Sequence, residues 1–289
     1  MLRATTTEER KLIFDYVKNA DLRFIMLSVL FGILSHLSRA YRWKFMLAPL
    51  GYKPRFVNTI LAVLIAYVAN LGIPRSGEIL RATTLSSYEK IPFEKSFGTI
   101  IAERLVDLIF LLSFIFLALI LQYDLIWQVL KEKQISLSTI IASAVIAVTT
   151  FICLKFLFEN NHSKPISRIK TFLKGLGEGV LSFKSMTNKG AFLLHTVFIW
   201  IMYVAMFYVI KWTVPEMENL GLSALLPAFV IGGLTISATN GGIGIYPFSV
   251  ALMLSAFGIS NESGLAFGWI VWTSQTFMII LFGSLSFFV

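Results

Sequence analysis

The chain holds one cysteine, Cys153, among 289 residues. A disulfide within the chain is therefore impossible, and a thiolate metal cluster is excluded. Cys153 sits in an apolar run and reads as a buried, inert thiol. Charge is scarce as well: 14% of the residues are charged, where soluble domains carry roughly 25%. Between Asn219 and Val289 the one charged residue is Glu262. Enzyme signatures are missing too, with no His-Glu-x-x-His zinc motif, no Walker loop and no nucleophile elbow. A net charge of +9 at first suggests nucleic acid. The lysines and arginines lie instead in loops between apolar runs, as membrane topology requires, and no span-free basic domain exists to bind it.

What remains is hydrophobic. The sequence is 56% hydrophobic with a mean hydropathy of +0.77, which predicts an all-α polytopic membrane protein. Spans need about 20 mostly apolar residues. Candidates lie at 22–41, 56–73, 99–121, 137–158, 191–211, 222–239 and 264–288. Two shorter apolar pieces, 78–88 and 243–257, each follow a break rich in glycine or proline. This predicts seven to eight transmembrane helices with two interrupted short or re-entrant helices, in a single domain over 1–289. A charged, polar stretch precedes the first apolar run, and Arg39 and Arg42 follow it where a cleavage site would need small residues. The first span is therefore expected to stay in the protein.

The expected halves are 1–158 and 191–289, joined by a basic connector at 159–190. Lys164, Arg168, Lys170, Lys174, Lys184 and Lys189 mark it. Ile166, Ile169, Phe172, Leu173 and Leu176 recur at helical spacing, as in an amphipathic helix on the cytoplasmic face. A solvated linker helix fits the same pattern. A cytoplasmic connector puts the N-terminus inside when full spans are counted back. Arg42, Lys44, Lys53 and Arg55 then fall outside, against the usual bias. Localisation is read as the plasma membrane of a bacterium or archaeon.

The halves carry an echo. Asn70-Leu-Gly-Ile-Pro74 ends the second candidate span, and Asn240-Gly-Gly-Ile-Gly-Ile-Tyr-Pro247 ends the sixth. Interrupted helices in matching positions of two halves mark a transport site, although Gly-rich breaks also resemble one another by chance. If both short pieces return to the side they entered, the halves are expected to be parallel; an odd number of crossings would make them inverted.

Two charged clusters stand at these places. Pro74 suits the first turn of a helix, and Arg75, Glu78 and Arg81, spaced three apart, would share its face. Free N–H groups at that start, with Gly72 and Gly77 allowing close approach, suit a phosphate. An interfacial loop wetted by water and headgroups fits equally. Glu103 and Asp107 stand four apart on one face, and Arg104 can pair with Asp107. Each such charge costs about 2.5–3.5 kcal/mol at the bilayer centre. They must therefore face the bundle, a polar cavity or the interface, with Arg75 and Arg81 as natural partners. A structural ion-pair network and a headgroup or proton cavity are both open. Glu78, Glu103 and Asp107 offer oxygen ligands for a cation, but the nearby arginines argue against a metal, and no cofactor is expected. His36 and His195 read as hydrogen-bonded packing residues. Trp43, Trp127, Trp200, Trp212, Trp269 and Trp272 read as interfacial anchors.

Arg39-x-x-Arg42-Trp43, the Asn70 to Arg81 segment and Glu103-Arg104-x-x-Asp107 together resemble the lysylphosphatidylglycerol synthase transmembrane family. Gly241-Gly242-Ile243-Gly244 resembles that family's later glycine-rich motif, although Tyr246, Pro247 and Phe248 stand where members often carry an acid. The resemblance implies a stand-alone lipid translocase without the soluble aminoacyl-transferase domain. Its substrate would be a phosphate-bearing phospholipid or lipid-linked sugar, and its partners membrane lipids with anionic headgroups. Arg75, Arg81 and Arg104 would engage phosphate. Glu78, Glu103 and Asp107 would orient them, and Asn70 and Asn240 would line the path. No enzymatic activity is expected. Two other readings stand beside this one. The first is an intramembrane enzyme using Glu103 or Asp107 as general base. The second is a non-catalytic partner of a glycosyltransferase or lipid synthase.

Overall fold

The computed structural model describes residues 7–73, 75–123, 177–178 and 181–289. The expected span at 137–158, most of the basic connector, Pro74, Trp127 and Cys153 lie outside the described residues. The helices are α1 (Thr7–Lys18), α2 (Leu22–Leu47), α3 (Phe56–Gly72), α4 (Ser76–Glu89), α5 (Phe93–Leu121), α6 (Lys189–Tyr208), α7 (Leu222–Ala238), α8 (Tyr246–Ser255) and α9 (Asn261–Leu285). The protein is an all-α polytopic integral membrane protein.

Among the described residues, four segments are long and apolar enough to cross a membrane: Leu22–Leu50, Phe93–Leu121, Lys189–Thr213 and Asn261–Leu285. Local chemistry sets their ends. Asp21 caps α2 by accepting from Arg23 N at 2.8 Å, since the first N–H groups of a helix lack partners. Beyond Leu47 the chain tightens into a 3-10 turn containing Pro49 and reverses at Gly51, φ 86°. Ser260 caps α9 from its side chain.

Side-chain pairings order the crossings. Trp43 meets Thr99 and Arg39 meets Asp107, so α2 ends where α5 begins. Arg42 meets Thr196 and Ser28 meets Met206, so α6 runs antiparallel to α2. One face of the bundle, the near face, thus holds the end of α2 and the starts of α5 and α6. Gln122 of α5 donates to Ser223 O at 2.9 Å, which puts the start of α7 on the far face.

α3 and α7, expected as full spans, have 17 residues each and turn back on themselves. Asn58 near the start of α3 reaches Glu89 at the end of α4. Asn70 near the end of α3 accepts from Gly77 N at 2.8 Å. α3 and α4 therefore form a hairpin that opens on the near face. Hydropathy alone does not distinguish such an arm from a span.

α7 and α8 form the second hairpin, open on the far face. Its tip turns through Gly241, Gly242 and Gly244, all at positive φ, where a Cβ is disfavoured. α8 packs on α9 through Gly264 and Gly268, where added Cβ atoms would come within 2.9 Å of Ala251 Cα and 2.6 Å of Pro247 Cα. Small residues four apart let membrane helices approach this closely.

The described elements of the two halves are thus inverted, not parallel as expected for short pieces that return to the side they entered. A crossing helix, a hairpin from the near face and a crossing helix (α2, α3–α4, α5) are followed by a crossing helix, a hairpin from the far face and a crossing helix (α6, α7–α8, α9). The hairpin tips meet inside the bundle: a Cβ on Gly241 would lie 2.6 Å from Leu71 Cδ2. Trp272 of α9 fixes the second tip by donating to Gly241 O at 2.8 Å. α5 ends on the far face and α6 begins on the near face. The described end of the basic connector, where Met186 packs with Trp43 and Phe192, is on the near face. α1 packs by the far-face start of α9, beside Ile259. α1 and the described end of the connector thus lie at opposite faces of the bundle.

Candidate functional site

Arg39 and Arg42 lie three apart on α2, and Glu103 and Asp107 four apart on α5, so each pair shares a helix face. Arg39 Nη1 bridges the two carboxylates, 2.5 Å from Glu103 Oε1 and 2.7 Å from Asp107 Oδ2. Arg42 does the same, 3.0 Å from Glu103 Oε1 and 2.9 Å from Asp107 Oδ1. The like charges expected to repel are thus held together by two guanidinium groups. From the first hairpin, Arg81 grips Glu103 with both Nη atoms, at 3.2 and 3.0 Å, the two-pronged geometry that makes such pairs strong.

This core is dry. Arg42 and Glu103 are wholly buried and Arg81 is 2% exposed. The Arg81 guanidinium lies 3.9 Å from the centre of the Trp43 ring, a contact of about 2 kcal/mol when desolvated. Trp43 Nε1 donates to Thr99 Oγ1 at 2.8 Å, which fixes the ring. Arg39 Nη2 donates to Tyr203 Oη at 3.2 Å, and Tyr203 meets Tyr67 Oη at 3.1 Å.

The edge of the cluster differs. Arg104 pairs with Glu78 at 2.9 Å, while its distance to Asp107 is 3.8 Å. Its side chain is 41% exposed and that of Glu78 22%. A small cavity of about 10 Å³ opens here, lined by Arg39, Tyr67, Asn70, Glu78, Arg81 and Arg104 among others, about room for one water. Four arginines face three carboxylates across the whole cluster, leaving a net charge of +1. The Nε atoms of Arg39, Arg81 and Arg104 and Oε2 of Glu78 are buried with no hydrogen-bond partner among the described residues. Buried polar groups rarely stay so unless something else satisfies them.

Of the residues singled out in the sequence, Glu78, Arg81, Glu103, Arg104 and Asp107 come together, and Asn70 lines the cavity beside them. Arg75 does not join. It is exposed at the first tip, in the left-handed conformation (φ 60°) as the N-cap of α4, and pairs with no described residue. The expected helix start at Pro74 thus gives way to one at Ser76. Asn240 is exposed at the second tip. Gly72 has open space around it, whereas Gly77 packs tightly against Ala66 O and Asn70.

Arg39 and Arg42 were not assigned to the site from sequence. The available signal is two charges at the end of the first apolar run, inside the helix that carries it, where burial requires an interior partner. Three tryptophans expected at the interface have other roles. Trp43 stacks on Arg81, Trp200 stacks on Phe114 at 5.2 Å, and Trp272 holds the second tip. His195 Nδ1 meets Ser38 Oγ at 2.8 Å, as a packing histidine would. His36 lies against the Tyr67 ring at 4.3 Å.

The lysylphosphatidylglycerol synthase TM region family matches residues 12–283, a stretch that contains both hairpins and every member of the cluster. The chain belongs to that family. Its relatives include a UPF0104 membrane protein of Methanocaldococcus jannaschii, 24% identical over 83% of this chain and 77% of the relative. A UPF0104 membrane protein of Pyrococcus horikoshii is 32% identical over 47% of this chain and 42% of the relative. No solved structure matches significantly. The cluster's net positive charge favours an anion at its open edge. Arg104 and Arg81 offer N–H donors there, while the buried carboxylates keep the guanidinium groups in place.

Proposed function

We propose that the protein moves a phosphate-bearing lipid, a phospholipid or a lipid-linked sugar, between the leaflets. One observation carries this reading: a buried, net-positive arginine cluster opens at its Arg104–Glu78 edge beside the meeting tips of two hairpins that enter from opposite faces. Asn70 ties these features together, because it lines the cavity while its neighbour Leu71 touches Gly241. Opposed broken helices around a site near mid-depth are how membrane proteins give one site access to either side. Arg104 and Arg81 would take the phosphate and Glu78 would release Arg104 to it. No ATPase motif drives the step, so movement would be downhill, ion-coupled or driven by a partner.

A base-catalysed enzyme is less well supported. Both oxygens of Glu103 and of Asp107 accept from arginines, which leaves neither free to take a substrate proton. The test is reconstitution into liposomes with fluorescent phospholipids and a lipid-linked sugar. The reading expects protein-dependent movement of a phosphate-bearing headgroup that falls in Arg104→Gln. A protein that moves none of these lipids overturns it. A mass change in the lipid would favour the enzyme, and co-purification of a synthase without transport would favour the partner role.

A further inference from the structure

A second concavity lies between α5, α7 and α8, separate from the charged cluster. It has a volume of about 190 Å³ and is lined by Ile115, Ala118 and Gln122 from α5, Val230 and Leu234 from α7 and Met253 from α8, among others. The lining is hydrocarbon apart from Gln122. Its rim is apolar as well, with Phe116 and Leu119 of α5 exposed beside it. These residues belong to a membrane-crossing helix and a hairpin arm, so the surrounding medium is lipid and not water.

The groove is aligned with the charged site. Eleven residues make three helical turns to within about 20°, and eighteen make five turns. Ile115 is eleven residues beyond Arg104, Ala118 eleven beyond Asp107, and Gln122 eighteen beyond Arg104. The stripe of α5 that carries the open edge of the cluster therefore continues into the groove. At 1.5 Å per residue the groove starts about 17 Å from Arg104 and ends about 27 Å from it. One leaflet is about 20 Å deep when its headgroup layer is counted, so a chain whose phosphate sits at the cluster reaches the first turn of the groove.

We infer that this groove holds one hydrocarbon chain of the lipid whose phosphate sits at Arg104, so that α5 binds head and tail on a single face. The headgroup end rests on the proposed translocase reading. Affinity in the groove comes from dispersion contacts, because a chain leaving lipid for protein gains no hydrophobic free energy. Two of its walls belong to the second hairpin, so a chain in the groove touches the element that meets the first tip. Ala118 and Val230, each 6% exposed, form its floor.

The experiment places the purified protein in phosphatidylcholine vesicles with two phosphatidylglycerol probes. One carries a diazirine near the end of an acyl chain, the other near the glycerol. The end-of-chain probe is expected to label peptides containing 115–122 and 227–234, and the near-glycerol probe to label α3 and α4 around Tyr67 and Glu78. Ala118→Trp is expected to abolish the first pattern and keep the second. If Ala118→Trp fails to fold, Leu234→Trp at the groove wall replaces it, and the two patterns on the unaltered protein remain decisive. End-of-chain labelling spread evenly over exposed positions such as Phe116 and Phe277 overturns the groove, as does a groove labelled only by the near-glycerol probe. Labelling as expected with no lipid movement in liposomes leaves the groove standing and overturns the translocase reading. Movement with diffuse labelling does the reverse.

Discussion

Leu71 and Gly241, one at the tip of each hairpin, occupy one another's space: a Cβ added to Gly241 would lie 2.6 Å from Leu71 Cδ2 and 3.9 Å from Leu71 Cα. The residues are far apart in sequence and sit on hairpins of opposite entry. Gly241 also has a left-handed backbone at φ 59°. Gly241→Ala should therefore cost stability twice, by crowding Leu71 and by about 1–2 kcal/mol of backbone strain. Adding Leu71→Ala should relieve the crowding and leave the strain. Melting temperatures of the two single variants and the double variant in detergent check this, and strictly additive losses would contradict the contact.

Core and edge of the charged cluster should respond differently. Glu103→Gln leaves Arg39, Arg42 and Arg81 without their shared carboxylate, and breaking a buried pair in this way costs about 3–5 kcal/mol. Glu78→Gln touches a half-exposed pair worth about 0–1 kcal/mol. The second variant should fold normally and change lipid movement, while the first should lower the unfolding temperature sharply. Chemical denaturation of both variants in one detergent measures the difference.

Arg81→Lys should also be costly. It keeps the charge but loses the two-pronged grip on Glu103 and the flat stacking on Trp43, which an ammonium group cannot reproduce. The expected loss is about 2 kcal/mol or more. Quenching of Trp43 fluorescence should change along with stability.

Much of this could be read from the sequence. The scarcity of charge and the apolar runs give the membrane fold. The two Asn-Gly breaks give the hairpin tips, and Arg81, Glu103, Arg104 and Asp107 give most of the cluster. Arg39 and Arg42 were harder to assign, because their partners lie 64 and 65 residues away and helical periodicity links only near neighbours. The same limit hid the stacking of Trp43 on Arg81. Hydropathy alone reads α3 and α7 as spans, because a hairpin arm and a crossing helix look alike on that scale. Its spacing from Glu78 suggests Arg75 for the site, but the helix begins at Ser76, two residues beyond the expected start, and leaves Arg75 at the tip.

Outside the membrane, Glu216 on the far face accepts from Ser260 N at 2.9 Å and from Ser260 Oγ at 2.5 Å. The Ser260 hydroxyl, with help from Ser263, holds its carboxyl below the usual range. A depressed carboxylate stabilises the fold above its unfolded pKa and loses that effect as pH falls through the folded value. Stability should therefore drop at acid pH, and Glu216→Gln should remove that part of the drop. Melting curves from neutral to acid pH for both proteins test the sign.

The central claim is that a lipid headgroup passes between the two tips. The most direct measurement is lipid movement in liposomes by a variant carrying Leu71→Cys and Gly241→Cys in a Cys153→Ser background. Replacing Leu71 removes the crowding, and the short separation between the two positions suits a disulfide. Oxidation should stop movement and reduction should restore it. Equal rates in the oxidised, fully cross-linked protein and the reduced protein would contradict the account.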